Sequence, residues 1–229
     1  MIEENPDLKD SIEKMLNNPD FLKEQLLSIS PYKGEFIDNV LDLLNDSKFI
    51  TTNKSIYEAS NPTFSYNLNT IKDKNYNYSI SCWVFIDNYD GNQGGENNKS
   101  IIKFGNKLNM LFNPYNREIL LKVDSCSDDI DNKNCKTKVA FRTNNILFQR
   151  WNNFIFNYDS GTLDVFVNNR LISSTPNISP LINNDTISVG DNDGVEEAIC
   201  NVMYFSTILT KQDINKLFNF FYVSNPPII

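Results

Sequence analysis

The run Gln149-Arg150-Trp151-Asn152-Asn153-Phe154-Ile155-Phe156-Asn157-Tyr158-Asp159-Ser160-Gly161-Thr162-Leu163-Asp164-Val165-Phe166-Val167-Asn168-Asn169-Arg170-Leu171 decides the fold class. Asn152 to Tyr158 and Thr162 to Val167 are short stretches rich in aromatic and β-branched residues, which suit a pleated, half-buried surface. Between them Asp159-Ser160-Gly161 supplies turn chemistry and a glycine that tolerates positive φ. The run therefore predicts a β-hairpin held in register by its turn, with no ligand needed to explain it.

Working outward, the same period of two recurs in Tyr78 to Ile86, Lys99 to Phe104, Lys107 to Phe112, Glu118 to Val123, Lys136 to Arg142, Thr186 to Val189 and Ala198 to Phe205, separated by Asn, Asp, Gly and Pro. Many short strands joined by tight turns, with no helix between them, predict an all-β chain folded as an antiparallel sandwich or jelly roll. Trp83 and Trp151 each sit in an alternating strand beside aliphatic neighbours, so both are expected as core anchors where the facing sheets meet. Thr210-Lys211-Gln212-Asp213 is a capping-box pattern, and Ile214, Leu217, Phe218 and Phe221 follow it, which predicts a short C-terminal helix.

Before residue 47 the period is 3.6. Asn5-Pro6-Asp7 and Asn18-Pro19-Asp20 each place an N-cap residue, a proline suited to the first turn and a carboxylate that favours a helix start. Phe21, Leu22, Leu26 and Leu27 share one helical face, and Phe36, Val40 and Leu44 another. Short amphipathic helices need a surface to lie on. Residues 1–46 thus read as a helical arm that packs on the rest of the chain or docks on a neighbouring subunit, and residues 47–229 as the β domain.

The chain has 229 residues, a formal net charge of −8 and no histidine. Without histidine, Ser-His-Asp and Cys-His nucleophilic sites and imidazole acid-base chemistry are excluded. The acidic balance and scattered Lys and Arg exclude a nucleic-acid partner, whose phosphates call for clustered cations. No apolar run is long enough to span a bilayer, and the first residues lack the pattern of a signal peptide. About one position in six is Asn, a bias read as compositional and given no functional weight.

The order of segments from 78 to 218 resembles the concanavalin A-like lectin/glucanase superfamily in its laminin-G or pentraxin-like branch. Ser79-Ile80-Ser81-Cys82-Trp83-Val84 resembles the opening core strand of that family, and Gln149 to Leu171 its strand and hairpin. Ile187-Ser188-Val189-Gly190 and Cys200-Asn201-Val202-Met203-Tyr204-Phe205 resemble the closing strands, and Leu209-Thr210 through Ile214 the terminal helix start. Trp151-Asn152-Asn153, Gly161-Thr162-Leu163-Asp164-Val165-Phe166 and Cys200-Asn201-Val202 with Tyr204-Phe205 are also similar to runs in laminin-G-like proteins encoded by large DNA viruses.

That narrower resemblance implies a virion component, minor capsid or capsid-associated, assembled in the host cytoplasm and binding other coat proteins through the arm and the rim of the sandwich. Outside a virion, the chain would be soluble and cytoplasmic. The broader resemblance implies a lectin-like alternative that recognises a host glycan, with calcium as the one cofactor to consider. Its hydrolases carry paired carboxylates on one strand face, and no such pattern exists here: Glu196 and Glu197 are adjacent and would point to opposite sides of a strand. No catalytic residue, and hence no enzyme, is expected.

Calcium takes hard oxygen ligands, and Asp191 and Asp193 form the best local cluster, with Asp124, Asp128, Asp129 and Asp131 a second; both also read as ordinary turn chemistry. Cys126 and Cys135 bracket a loop and are either a disulfide or free thiols. Cys82 and Cys200 read as small buried hydrophobes.

Overall fold

The turns of the central run take the geometry that twisted hairpins require. Ser160 and Gly161 have φ of 46° and 93°, and Asn168 and Asn169 have φ of 48° and 66°. Two consecutive residues at positive φ are the signature of the type I′ turn, whose twist matches that of its flanking strands. Two such turns convert the run into a three-stranded meander.

The computed structural model describes residues 40, 42–44, 47–49, 57–58, 64–67, 77–87, 98–105, 107–126, 135–180, 186–189 and 198–224. Their strands are β1 (Ser47–Phe49), β2 (Tyr57–Glu58), β3 (Phe64–Asn67), β4 (Tyr78–Phe85), β5 (Lys99–Phe104), β6 (Leu108–Asn113), β7 (Glu118–Cys126), β8 (Cys135–Thr143), β9 (Trp151–Asp159), β10 (Thr162–Val167), β11 (Arg170–Thr175), β12 (Thr186–Val189) and β13 (Ala198–Phe205). One helix, α1 (Lys211–Ser224), closes the described chain, and residues 40 and 42–44 are helical.

Sheet A has seven strands in the order β1-β13-β4-β9-β10-β11, with β2 also paired to β13, and sheet B has six in the order β3-β12-β5-β6-β7-β8. All pairings are antiparallel, as the alternating patterns predict. The sequence reading recovered nine of these thirteen strands. It missed the short β1, β2 and β3, and β11, where Arg170-Leu171-Ile172-Ser173-Ser174-Thr175 lies mostly exposed at the sheet edge.

Inward-facing residues of the two sheets form one core. Ile80, Cys82 and Val84 of β4 and Phe154, Phe156 and Tyr158 of β9 pack toward Ile102, Phe104, Met110, Phe112, Leu121 and Val189 of sheet B. Tyr78 ties the layers together, with its ring 5.0 Å from Phe104 edge-on and 5.4 Å from Tyr158 in a stack. Such aromatic geometries add to the gain from burial.

The outer face of sheet A is apolar as well. Trp83, Ile155, Phe166, Cys200, Met203 and Phe205 form a second core with Leu209, Ile214, Leu217, Phe220 and Phe221 of α1 and its approach, and with Val40 and Leu44. Trp83 stacks on Phe218 at 5.6 Å with its plane tilted 15°. This corrects the expected position of both tryptophans. They face the helix layer, not the opposite sheet, because Cys82 and Val84 take the inward phase of β4 and Phe85 pairs with Trp151 on the other phase.

The capping box forms as expected: the Thr210 hydroxyl donates to Asp213 Oδ2 at 2.6 Å, and the Thr210 N–H donates to the same oxygen at 3.0 Å. Buried polar groups fix the approach to α1. The Ser79 hydroxyl donates to the Thr207 carbonyl and accepts from the Leu209 N–H, while the Asn157 amide donates to the Leu209 carbonyl at 2.7 Å.

Two outcomes follow for stability. Replacing Trp83, 1% exposed, by Ala opens a cavity beneath α1 and is expected to cost about 3–5 kcal/mol in denaturant melts, with a smaller loss for Trp151→Ala at its half-buried position. Burial pushes the Cys200 thiol up from 9.0 to about 12, and burial also raises that of Cys82. An unfolded thiol ionises near its ordinary value, so above it the native state holds more protons than the unfolded state. The stability these neutral thiols provide is complete below pH 9 and falls by about 1.4 kcal/mol per pH unit per thiol as pH rises toward 12. Unfolding midpoints measured across that alkaline window should show the decline, and Cys200→Ala should make it shallower.

Candidate functional site

The central strands of sheet A, β13, β4 and β9, are covered on both faces, whereas sheet B keeps polar positions on the face turned away from the core. On β5 Phe104 points in and Lys103 out; on β6 Met110 points in and Asn109 out; on β7 Leu121 and Val123 point in and Lys122 and Asp124 out. The register aligns these outward residues. Ser188 pairs with Lys103, Lys103 with Asn109, Asn109 with Lys122 and Lys122 with Val139, one row running across five strands. Asp124 pairs with Thr137 two residues further along.

Lys103, Gly105, Leu108, Asn109, Lys122, Asp124 and Thr137 line a depression of about 190 Å³ on this face. Its polar groups are held in place. The Thr137 hydroxyl donates to Asp124 Oδ1 at 2.6 Å, and the Ser100 hydroxyl donates to Asn109 Oδ1 at 3.3 Å, which turns the Asn109 amide nitrogen away as a donor. Gly105, at φ 47°, turns the chain between β5 and β6 and donates its N–H to the Thr186 carbonyl at 2.8 Å. Neither Lys103 nor Lys122 has an ion-pair partner among the described residues.

Charge is unevenly distributed around this site. The strands β5 to β8 carry Lys99, Lys103, Lys122, Lys136, Lys138 and Arg142 against Glu118 and Asp124, in a chain whose net charge is −8. Glu118 is engaged by Arg142 at 3.9 Å, and Asp124 is the one carboxylate among the described residues that line the depression.

Of the residues singled out in the sequence, Asp124 enters this depression, while Asp128, Asp129, Asp131, Asp191 and Asp193 lie outside the described residues, as do Glu196 and Glu197. Among the described residues no three acidic or thiol groups gather as a metal site. Phe21, Leu22, Leu26, Leu27 and Phe36 of the arm also lie outside the described residues. Val40 and Leu44 are buried in the second core against sheet A, so these two arm residues face their own chain. Cys82 and Cys200 are buried free thiols on opposite faces of sheet A.

Lys103, Asn109, Lys122 and Thr137 were not singled out from the sequence. Their signal was present as polar residues on the outward phase of apolar strands, but only the register shows that they share one row.

No family model matches the sequence, and no curated protein does. Solved structures do match. The receptor-binding domain of botulinum neurotoxin mosaic serotype C/D aligns with a TM-score of 0.57 at 17% identity over 76% of this chain and 45% of that one. The botulinum neurotoxin serotype D binding domain gives 0.53 at 16% over 76% and 46%, and the type G receptor-binding domain 0.50 at 17% over 76% and 44%. The chain therefore spans less than half the length of these structures, and the likeness is one of fold: an antiparallel β-sandwich.

The β7–β8 register makes Cys126 and Cys135 Cα partners beside Asp124 and Thr137. Antiparallel partners lie about 4.5–5.5 Å apart at Cα, within the range a disulfide spans. Of the two readings, disulfide or free thiols, a disulfide would raise stability by about 2–3 kcal/mol. Intact mass under non-reducing alkylation, paired with melts of the oxidised and reduced protein, decides between them and checks that gain. Alkylation of both cysteines after oxidant treatment counts against the disulfide.

Proposed function

We propose that this chain is a non-catalytic carbohydrate-binding module and that the depression on the outer face of sheet B is its site. The row Ser188, Lys103, Asn109, Lys122, with Asp124 and Thr137 beside it, carries the reading. It offers donors and one fixed carboxylate acceptor at strand spacing, the polar equipment that a ring with several hydroxyls requires. A fold shared with neurotoxin receptor-binding domains agrees with a role in recognition.

The same geometry supports binding without cleavage. Usual glycoside hydrolysis needs two carboxyl groups flanking one bond, and among the described residues that line the depression Asp124 is the one carboxylate. The comparisons offer nothing in support of a virion component, and with Val40 and Leu44 spent on sheet A no observation favours docking through the arm.

A glycan array probed with the full chain tests this. Binding of at least one sugar class is expected, with Asn109→Ala and Asp124→Asn each weakening it about ten-fold or more while the melting temperature stays within a few degrees, since both side chains sit on the surface layer. An array blank for every class would overturn the proposal. Binding that vanishes on chelation yet survives Asn109→Ala would move the site to Asp191 and Asp193.

A further inference from the structure

Building on that site, we infer that its ligand carries an acidic group, a carboxylate or a sulfate on the sugar ring, and that Lys103 and Lys122 are the residues that select it. Their Cα atoms lie two strand spacings apart, roughly 10 Å, with Asn109 between them in the same row. Each ammonium ends a flexible four-carbon stem, so both can converge above Asn109. The Asn109 amide presents a donor there, because its oxygen already accepts from Ser100.

Three further observations define the ligand. Neither lysine has a carboxylate partner among the described residues, and Asp124 already accepts a hydrogen bond from Thr137, so among the described residues the row holds two cations without a paired anion. Asp124 keeps its second oxygen to accept from a ring hydroxyl, which an inorganic anion could not supply. The volume of about 190 Å³ is below the roughly 300 Å³ at which pockets for drug-sized ligands begin, and fits one sugar ring better than several.

The charge of the whole chain points the same way. A net charge of −8 repels an extended polyanion at long range, so the lysine pair suits a single acidic ring recognised at contact and not a highly sulfated chain gathered by its field. A neutral ring would leave both ammonium groups partly desolvated without a counter-charge.

The test uses the full chain and protein-observed NMR titration with a panel of methyl hexosides, each supplied as the neutral sugar, the uronate and the 6-sulfate. The acidic forms should bind at least about ten-fold more tightly than the neutral ones, and rising salt should erode that preference. Lys103→Gln and Lys122→Gln should each bring acidic binding down to the level of the neutral sugars, while neutral binding, which also uses these donors, weakens by a smaller factor, with the fold verified by unchanged amide shifts in sheet A. The uronate and sulfate arms show which acidic group is read. Equal binding of neutral and acidic forms, unaffected by either lysine variant, overturns this inference and leaves the carbohydrate-binding reading intact. A panel with no shifts at all overturns both.

Discussion

The central strands of sheet A, β13, β4 and β9, are buried on both faces, and the rest of the molecule is arranged around that fact. All of β13 and all but the ends of β4 and β9 are buried. A strand in this state cannot serve as one wall of a simple two-layer sandwich, because its outward residues would be left in water. Sheet B covers the inward face, and α1, Val40 and Leu44 cover the outward one. The stack of Trp83 on Phe218 sits at the centre of that outer contact, so the helix is a structural layer and not a tail. Only sheet B is then left with a face patterned for solvent, and the depression forms there.

The asparagines, set aside as a bias of composition, supply much of the unusual backbone. Asn168, Asn169, Asn177 and Asn201 all take positive φ, a region few side chains other than Asn and Asp enter readily. Asn201 does so inside β13, where the register shifts between Cys200 and Met203 and returns Met203 to the outer core and Tyr204 to the inner one. Asn152 closes the turn before β9 by accepting from the Leu147 N–H at 3.0 Å and donating to the Leu147 carbonyl at 2.7 Å. Composition made this residue available, and position gave it work. The cost is visible as well: Trp83 Nε1 and Asn153 Oδ1, on paired residues of β4 and β9, are buried with no hydrogen-bond partner among the described residues.

The strands of the sandwich were legible because period two is a local property of each segment. Capping of α1 was legible for the same reason, since Thr210 and Asp213 are three residues apart. What could not be read was which face each strand turned to which neighbour. Trp83 and Cys82 are both apolar and adjacent, so the pattern of β4 is the same whichever of them faces sheet B. The distinction needs the helix at the far end of the chain to be placed first. The site was hidden in the same way, because Lys103, Asn109 and Lys122 are ordinary surface residues until antiparallel pairing over β5, β6 and β7 puts them side by side.

Net charge, read from composition, excluded a nucleic-acid partner but said nothing of where charges lie. The fold separates them. The central strands of sheet A, β13, β4 and β9, carry no charged residue but Asp159 at an exposed end, because both their faces are buried and charge there would need pairing. The outer face of sheet B is free of that restriction, and it collects lysines spaced by the ladder. A chain of net charge −8 thus presents a locally cationic surface, made by the same constraint that buried sheet A twice. Its two lysines in one row are therefore a consequence of topology acting on scattered residues, and no clustering of cations in the sequence was needed to produce them.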